Sequence, residues 1–134
     1  DETGIIKDLL RGQVTSDVTY LGSLGSDEVE RWMDEAHLLV NTSEYEGWPN
    51  TFIQAWMRKL PVVSLNVDPD DVIKRKGLGF HSGSFEQLVA DVRRLLTDEN
   101  LRKQMGENAY RYSIKEHDIQ RTVTSLEKLL LSLI

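Results

Sequence analysis

No cysteine occurs among the 134 residues, which excludes disulfides and thiolate metal sites. The absence fits a reducing compartment, so the expected location is cytoplasmic. No apolar run approaches the ~18–20 residues that span a bilayer, and the first residues lack a signal-peptide pattern. No integral membrane segment is therefore predicted. Positive charge is in deficit: 16 Lys and Arg stand against 22 Asp and Glu, a net charge of −6. An acidic surface repels nucleic acid, so no nucleic-acid partner is predicted. The run Lys74-Arg75-Lys76 is too short for a phosphate-backbone track and reads as a solvated helix end. Neither a dinucleotide fingerprint nor a P-loop is present. Ser43 and Ser64 lack a nucleophile elbow. His37, His81 and His117 stand apart, without metal-ligand spacing.

What is present describes an ordinary globular chain, 40% apolar and 28% charged. The length suits one domain, residues 1–134. The chain lacks an initiator Met and enters a helical pattern at Ile5, Ile6, Leu9 and Leu10, so it reads as an excised piece of a longer protein. A helix over 3–12 ends at Gly12, and Val18 to Leu21 is a β-prone run closed by Gly22. Ser26 caps a helix whose Val29, Trp32, Met33 and Ala36 share one face, and Trp32 is assigned to the core. Leu38-Leu39-Val40 reads as a strand covered on both faces. Asn41 to Asn50 is polar and turn-rich. A helix over 50–59 follows, with Phe52, Ile53, Trp56 and Met57 as its buried stripe and Arg58 and Lys59 at its negative end. Pro61 to Leu65 is a second buried strand. A turn at Asp68-Pro69-Asp70 leads to a short helix ending at Lys76, broken at Gly77 and Gly79. Ser84 and Gln87 have capping-box spacing before a helix with Phe85, Leu88, Val89, Val92, Leu95 and Leu96 on one side. Two more helices run over 98–116 and 118–133, the last carrying Val123, Leu126, Leu129 and Leu130.

Short buried strands alternating with helices predict an α/β fold, a parallel sheet with helices on both faces. Ligands of such sheets bind beyond the carboxyl ends of the strands. Two loops qualify, 41–50 and 66–71. The first carries Glu44, Glu46, Gly47 and Trp48 just before a helix start, where backbone N–H groups attract phosphate.

The run Glu46-Gly47-Trp48-Pro49-Asn50-Thr51-Phe52-Ile53-Gln54-Ala55-Trp56, followed by Leu60-Pro61-Val62-Val63, resembles the donor-site signature of retaining glycosyltransferases of the GT-B fold, family 4, also called glycosyl transferases group 1. Val18 to Gly22 resembles that family's upstream Val-x-Phe-Leu-Gly strand. The resemblance extends over nearly the whole chain. It implies a Rossmann-like domain, the C-terminal, donor-binding half of a GT-B fold, truncated on its N-terminal side. It also implies a parent that transfers a sugar from a UDP- or GDP-sugar to an acceptor with retention, without metal or cofactor. The partners it implies are the nucleotide sugar and an acceptor-binding N-terminal domain of the same parent chain. By position, Glu46 is the catalytic candidate and contacts the donor sugar. Gly47, Trp48, Pro49, Asn50, Thr51, Phe52 and Gln54 are the donor-binding candidates, with the backbone of 50–52 facing the diphosphate. Gln54 replaces the family's second Glu, which binds the ribose hydroxyls. An amide still bonds a diol but lacks the charge that strengthens the bond. The family's basic diphosphate clamp lies on an earlier segment that this chain lacks, so the isolated chain is expected to be inactive.

By spacing alone, Glu46 reads as an acid complementing the positive end of a helix; the signature makes it a site residue. Glu44 lies outside the matched positions and reads as solvated. Trp48 reads as loop packing and Trp56 as core. Asp68-x-Asp70 matches a metal-binding string of other glycosyltransferases, but the turn around Pro69 explains it more simply. A non-catalytic nucleotide- or sugar-binding module on the same fold is the alternative function, favoured by Gln54. An epimerase-type enzyme is a third, and it requires acids and histidines at positions where this chain lacks them.

Overall fold

The computed structural model describes residues 17–133. The helix expected over 3–12 lies outside them. The chain divides into two compact units, residues 1–31 and 32–134. In the first unit, Val18 to Leu21 forms no strand. A strand needs a ladder partner, and no described residue pairs with this run; Val18 is 52% exposed. Helix α1 spans Ser26–Glu35, with Asp27 and Glu28 in its first turn. Ser26 is its first residue, not its cap. Gly25 precedes it, donating its N–H to the Glu28 carboxylate at 3.1 Å while its carbonyl accepts from Glu28 and Val29.

The second unit is built on a three-stranded parallel sheet, β1 (Leu39–Asn41), β2 (Val62–Ser64) and β3 (Gly79–His81), in that spatial order. Parallel neighbours need crossovers. Helix α2 (Asn50–Met57) links β1 to β2, and a 3-10 turn (Pro69–Asp71) with helix α3 (Val72–Lys76) links β2 to β3. Helices α4 (Phe85–Thr97), α5 (Glu99–His117) and α6 (Ile119–Ser132) follow. The α/β reading is therefore the observed fold: a parallel sheet flanked by helices. Among the described residues no helix is long and apolar enough to cross a membrane.

β2 is central, and Val62, Val63 and Ser64 are fully buried. Side chains alternate along a strand. Val63 packs with Leu88 and Leu95 of α4, and Leu38, Leu65, Phe80, Val92, Leu101 and Met105 close around them. Ser84 caps α4 as its spacing predicts, accepting from the Gln87 N–H at 3.2 Å. The Gln87 amide does not reach back; it donates to Asp91, a buried carboxylate that also accepts from Ser82.

Helix α2 packs on α5, where Trp56 meets Tyr112 edge-on at 5.5 Å. The approach depends on Gly106, because a Cβ there would lie 2.2 Å from the Lys59 carbonyl. Helix α2 ends at Met57, before the expected Lys59. Lys59 takes φ +60 and closes a Schellman turn, with Leu60 N–H on the Ala55 carbonyl and Lys59 N–H on that of Trp56. A left-handed non-glycine residue costs about 1–2 kcal/mol. The two hydrogen bonds of the turn hold it in place, and the Lys59 side chain reaches Glu107 at 2.7 Å and the Tyr110 ring at 5.2 Å.

Several expected burials fail at the margins of the helix faces. Trp32 is 50% exposed, and Met57, Phe85 and Leu96 are also exposed. The faces are narrower than their apolar patterns: α1 buries only Met33, and α2 buries Phe52, Ala55 and Trp56. β1 sits one residue later than expected, and Val40 is exposed because this strand has a single neighbour among the described residues. Helix α6 buries none of its residues, so Val123, Leu126, Leu129 and Leu130 form an exposed stripe.

Candidate functional site

A cleft of about 540 Å³ opens beyond the carboxyl ends of β1 and β2. Glu44, Tyr45, Glu46 and Gly47 form one wall, and Asn66, Val67, Asp68 and Pro69 the other. Both walls come from the two loops that sequence reasoning singles out. Asn41, the last residue of β1, organises the first. Its side-chain oxygen accepts from Ser43 N–H at 3.2 Å, and its amide nitrogen donates to Ser43 Oγ and to Glu46 Oε1, each at 3.4 Å. Ser43 Oγ also donates to Glu46 Oε1. Glu46 is thus aimed by a strand-end amide and a serine hydroxyl, neither of which was singled out by sequence. The spacing Asn-x-Ser-x-x-Glu is the local signal that carries them.

The second wall is held by buried Ser64, whose Oγ accepts from Val67 N–H at 3.2 Å. The Asp68 carboxylate accepts from Ile73 N–H at 2.8 Å and from Lys74 N–H at 3.3 Å. That bonding tightens the turn and opens α3, and Asp70 and Asp71 both take positive φ within it. Such angles cost a non-glycine residue energy, though Asp tolerates them better than most.

The signature residues take different places in the fold. Glu46 and Gly47 line the cleft. Asn50 and Thr51 are exposed in the first turn of α2, where the leading N–H groups of a helix lack intrahelical acceptors. Pro49 is buried at the N-cap position, and Phe52 N–H already donates to its carbonyl at 3.0 Å. Phe52 itself is a core residue, with no exposure and its ring 5.8 Å from Trp56. Its side chain is therefore structural, in keeping with its place in the expected buried stripe, and only its backbone stays a donor-facing candidate. Trp48 packs edge-on against Trp56 at 6.4 Å and tilted against His117 at 5.2 Å, the packing role read from sequence. Gln54 is half-buried on α2 and outside the cleft lining, and its backbone carbonyl accepts from Arg58. Glu44, read as solvated, joins the wall. So does Tyr45, 91% exposed, which sequence reasoning passed over because nothing local marks it.

His117 anchors the signature loop from behind. It lies between Trp48 and Tyr112, with Nε2 buried and without a partner. Burial lowers its pKa, and Glu116 only partly opposes this. The sign follows from linkage. Above the ordinary imidazole value of about 6.5, both folded and unfolded chains hold it neutral. As pH falls below that value, the unfolded chain takes a proton that the folded one resists, and stability drops. His117→Gln is therefore expected to flatten the fall in urea midpoint between pH 7 and 5. An unchanged slope would remove His117 as its source.

The model of the family glycosyl transferases group 1 matches residues 2–98. No curated protein and no solved structure gives a match. The matched span contains all three strands and the whole segment from Glu46 to Gln54. The chain belongs to the glycosyl transferases group 1 family.

Proposed function

We propose that this chain is the donor-binding part of a retaining glycosyltransferase that takes a UDP- or GDP-sugar, with Glu46 contacting the donor sugar. The observation that carries this reading is the placement of Glu46. It lies in a cleft at the carboxyl ends of two parallel strands, held by Asn41 and Ser43, next to the start of α2. In this reading the N–H groups of Asn50 and Thr51 meet the diphosphate, and Gln54 meets the ribose. Partial positive charge at the helix start favours the anion and stabilises the leaving diphosphate. The reading gives no residue the role of nucleophile and requires no metal.

The cleft as described carries Glu44, Glu46 and Asp68 and no cation in its lining. Carboxylates repel a diphosphate, so a cationic clamp must come from elsewhere in the parent. In this proposal the acceptor also binds an N-terminal domain of that parent, and the isolated chain is inactive. A non-catalytic nucleotide- or sugar-binding module is the second reading, favoured by Gln54, which lacks a carboxylate and lies outside the cleft lining.

The test is transfer by the parent protein over a panel of nucleotide sugars, with Glu46→Ala and Gln54→Ala beside it. Loss of a charge-assisted hydrogen bond of about 1.5–3 kcal/mol lowers kcat/KM by roughly 10–150-fold for Glu46→Ala. Gln54→Ala, losing a neutral bond, is expected to lower it less than tenfold. Full activity of Glu46→Ala sinks the site assignment. Nucleotide-sugar binding without transfer supports the second reading, and turnover by the isolated chain contradicts the need for a clamp.

A further inference from the structure

A second cavity, of about 200 Å³, lies between the end of α3 and one face of α5, with none of its lining residues shared with the donor cleft. Its walls are Lys76, Asn108, Arg111, Tyr112, Lys115 and Glu116. The chain has a net charge of −6, yet this lining sets three cations against one carboxylate.

The cations converge from two elements. Lys76 is the last residue of α3, while Arg111 and Lys115 stand one turn apart on α5. Like charges at that spacing destabilise a helix, and the fold adds Lys76 to them. Their ordinary compensation is only partial. Among the described residues, neither Lys76 nor Arg111 makes an ion pair. Glu107, the acid one turn before Arg111, is engaged first by Lys59 at 2.7 Å, and the Arg111 charge acts on it more weakly. Lys115 has only Glu116, at 3.8 Å, and both are largely exposed.

The frame around these charges is fixed. Asn108 Nδ2 donates to the Gly77 carbonyl at 3.3 Å and ties the two walls together. Tyr112 is held edge-on against Trp56 and His117. Burial, together with Glu116 and Asp70, raises its pKa against the opposing effect of Arg75, so its hydroxyl remains a proton donor.

We infer that this cavity binds a phosphate group. Three cations at separate points suit a multiply charged tetrahedral anion, and the guanidinium of Arg111 can grip two of its oxygens. A single carboxylate leaves most of that charge unanswered. The volume falls below the ~300–1,000 Å³ of small-molecule pockets, so the site takes a phosphate head and not a whole nucleotide sugar. The Lys74-Arg75-Lys76 run, a solvated helix end by sequence, acquires a role as one wall of the site. The phosphate has two possible sources: a soluble phosphorylated compound or an anionic lipid head group.

The experiment is a titration of the ¹⁵N-labelled chain with inorganic phosphate at constant ionic strength, with chloride as control, followed by amide shifts. Saturable shifts are expected at Lys76, Gly77 and residues 108–116. Arg111→Gln and Lys76→Gln, both exposed substitutions, are each expected to weaken binding by roughly tenfold, the loss of a charge-assisted bond. Lys103→Gln, in a pair with Glu99 elsewhere on α5, leaves it unchanged. Shifts that grow linearly as with chloride, that survive Arg111→Gln, or that appear only at Asn50 and Thr51 overturn the inference. Competition by phosphatidylcholine vesicles containing phosphatidic acid, but not by phosphatidylcholine alone, assigns the lipid source. Phosphate binding unaffected by either vesicle assigns the soluble one.

Discussion

Trp56→Ala is expected to lower the stability of the chain by about 3–5 kcal/mol, the range for truncating a large aromatic residue in a core. Trp56 has no exposure and is enclosed by Phe52, Trp48 and Tyr112 at 5.5–6.4 Å. Its removal leaves a cavity between α2 and α5, and the already close approach of Gly106 to the Lys59 carbonyl limits how far the helices can close it. Trp56→Phe separates shape from polarity. The indole Nε1 is buried without a partner, and an orphaned donor of that kind costs about 1–3 kcal/mol. Phenylalanine removes the donor along with part of the ring, so the two effects oppose each other. Its net loss is expected to be well below that of alanine. Urea unfolding of both variants is the measurement, and a loss under 1 kcal/mol for Trp56→Ala would show that the α2–α5 contact is not central to the core. Trp48 rests on the same indole, so under the proposed donor-binding function nucleotide-sugar affinity should fall with stability in Trp56→Ala.

Gly79→Ala is the second substitution with a large expected effect, on the order of 2–6 kcal/mol when backbone strain and overpacking are added. Gly79 begins β3 with φ +145, which residues bearing a Cβ rarely adopt. An added Cβ would sit 1.9 Å from the Val62 carbonyl oxygen, in the backbone of the central strand. Backbone is not free to rotate away, so either β3 leaves the sheet or the ladder at Val62 opens. Gly47→Ala is the control. A Cβ there meets nothing within 4 Å, and its stability effect is expected within ±0.5 kcal/mol. Equal thermal midpoints for Gly79→Ala and the wild-type chain would contradict the close approach of β3 to β2.

The legible part of this protein is what local chemistry controls. The Ser84 cap, the helix starting at Asn50 and the fully buried Val62-Val63-Ser64 strand follow from residue type and spacing over a few positions. β3 carries no strand signal in the sequence, because a single β-prone residue, Phe80, follows the break at Gly77 and Gly79; its partner β2 makes it a strand. Val18 to Leu21 shows the converse, a β-prone run with no strand paired to it among the described residues. Apolar spacing assigns Trp32 to the core and sets Phe85 on the apolar side of its helix, but spacing does not say whether a facing element exists, and both are exposed.

The site divides along the same line. By itself the sequence determined the family signature, the acid at Glu46, the two loops around the cleft and the amide at Gln54, because each is a matter of residue identity at a position. Tertiary structure alone decided that Asn41 and Ser43 aim Glu46 and that Glu44 and Tyr45 share its wall. It also brought Lys76 against Arg111 and Lys115 across 35 positions of sequence at the nearer pair. The reason is physical. A spacing rule reaches one or two turns along the chain, whereas burial, charge convergence and hydrogen-bond partners depend on what the sheet and its crossovers bring in from far away.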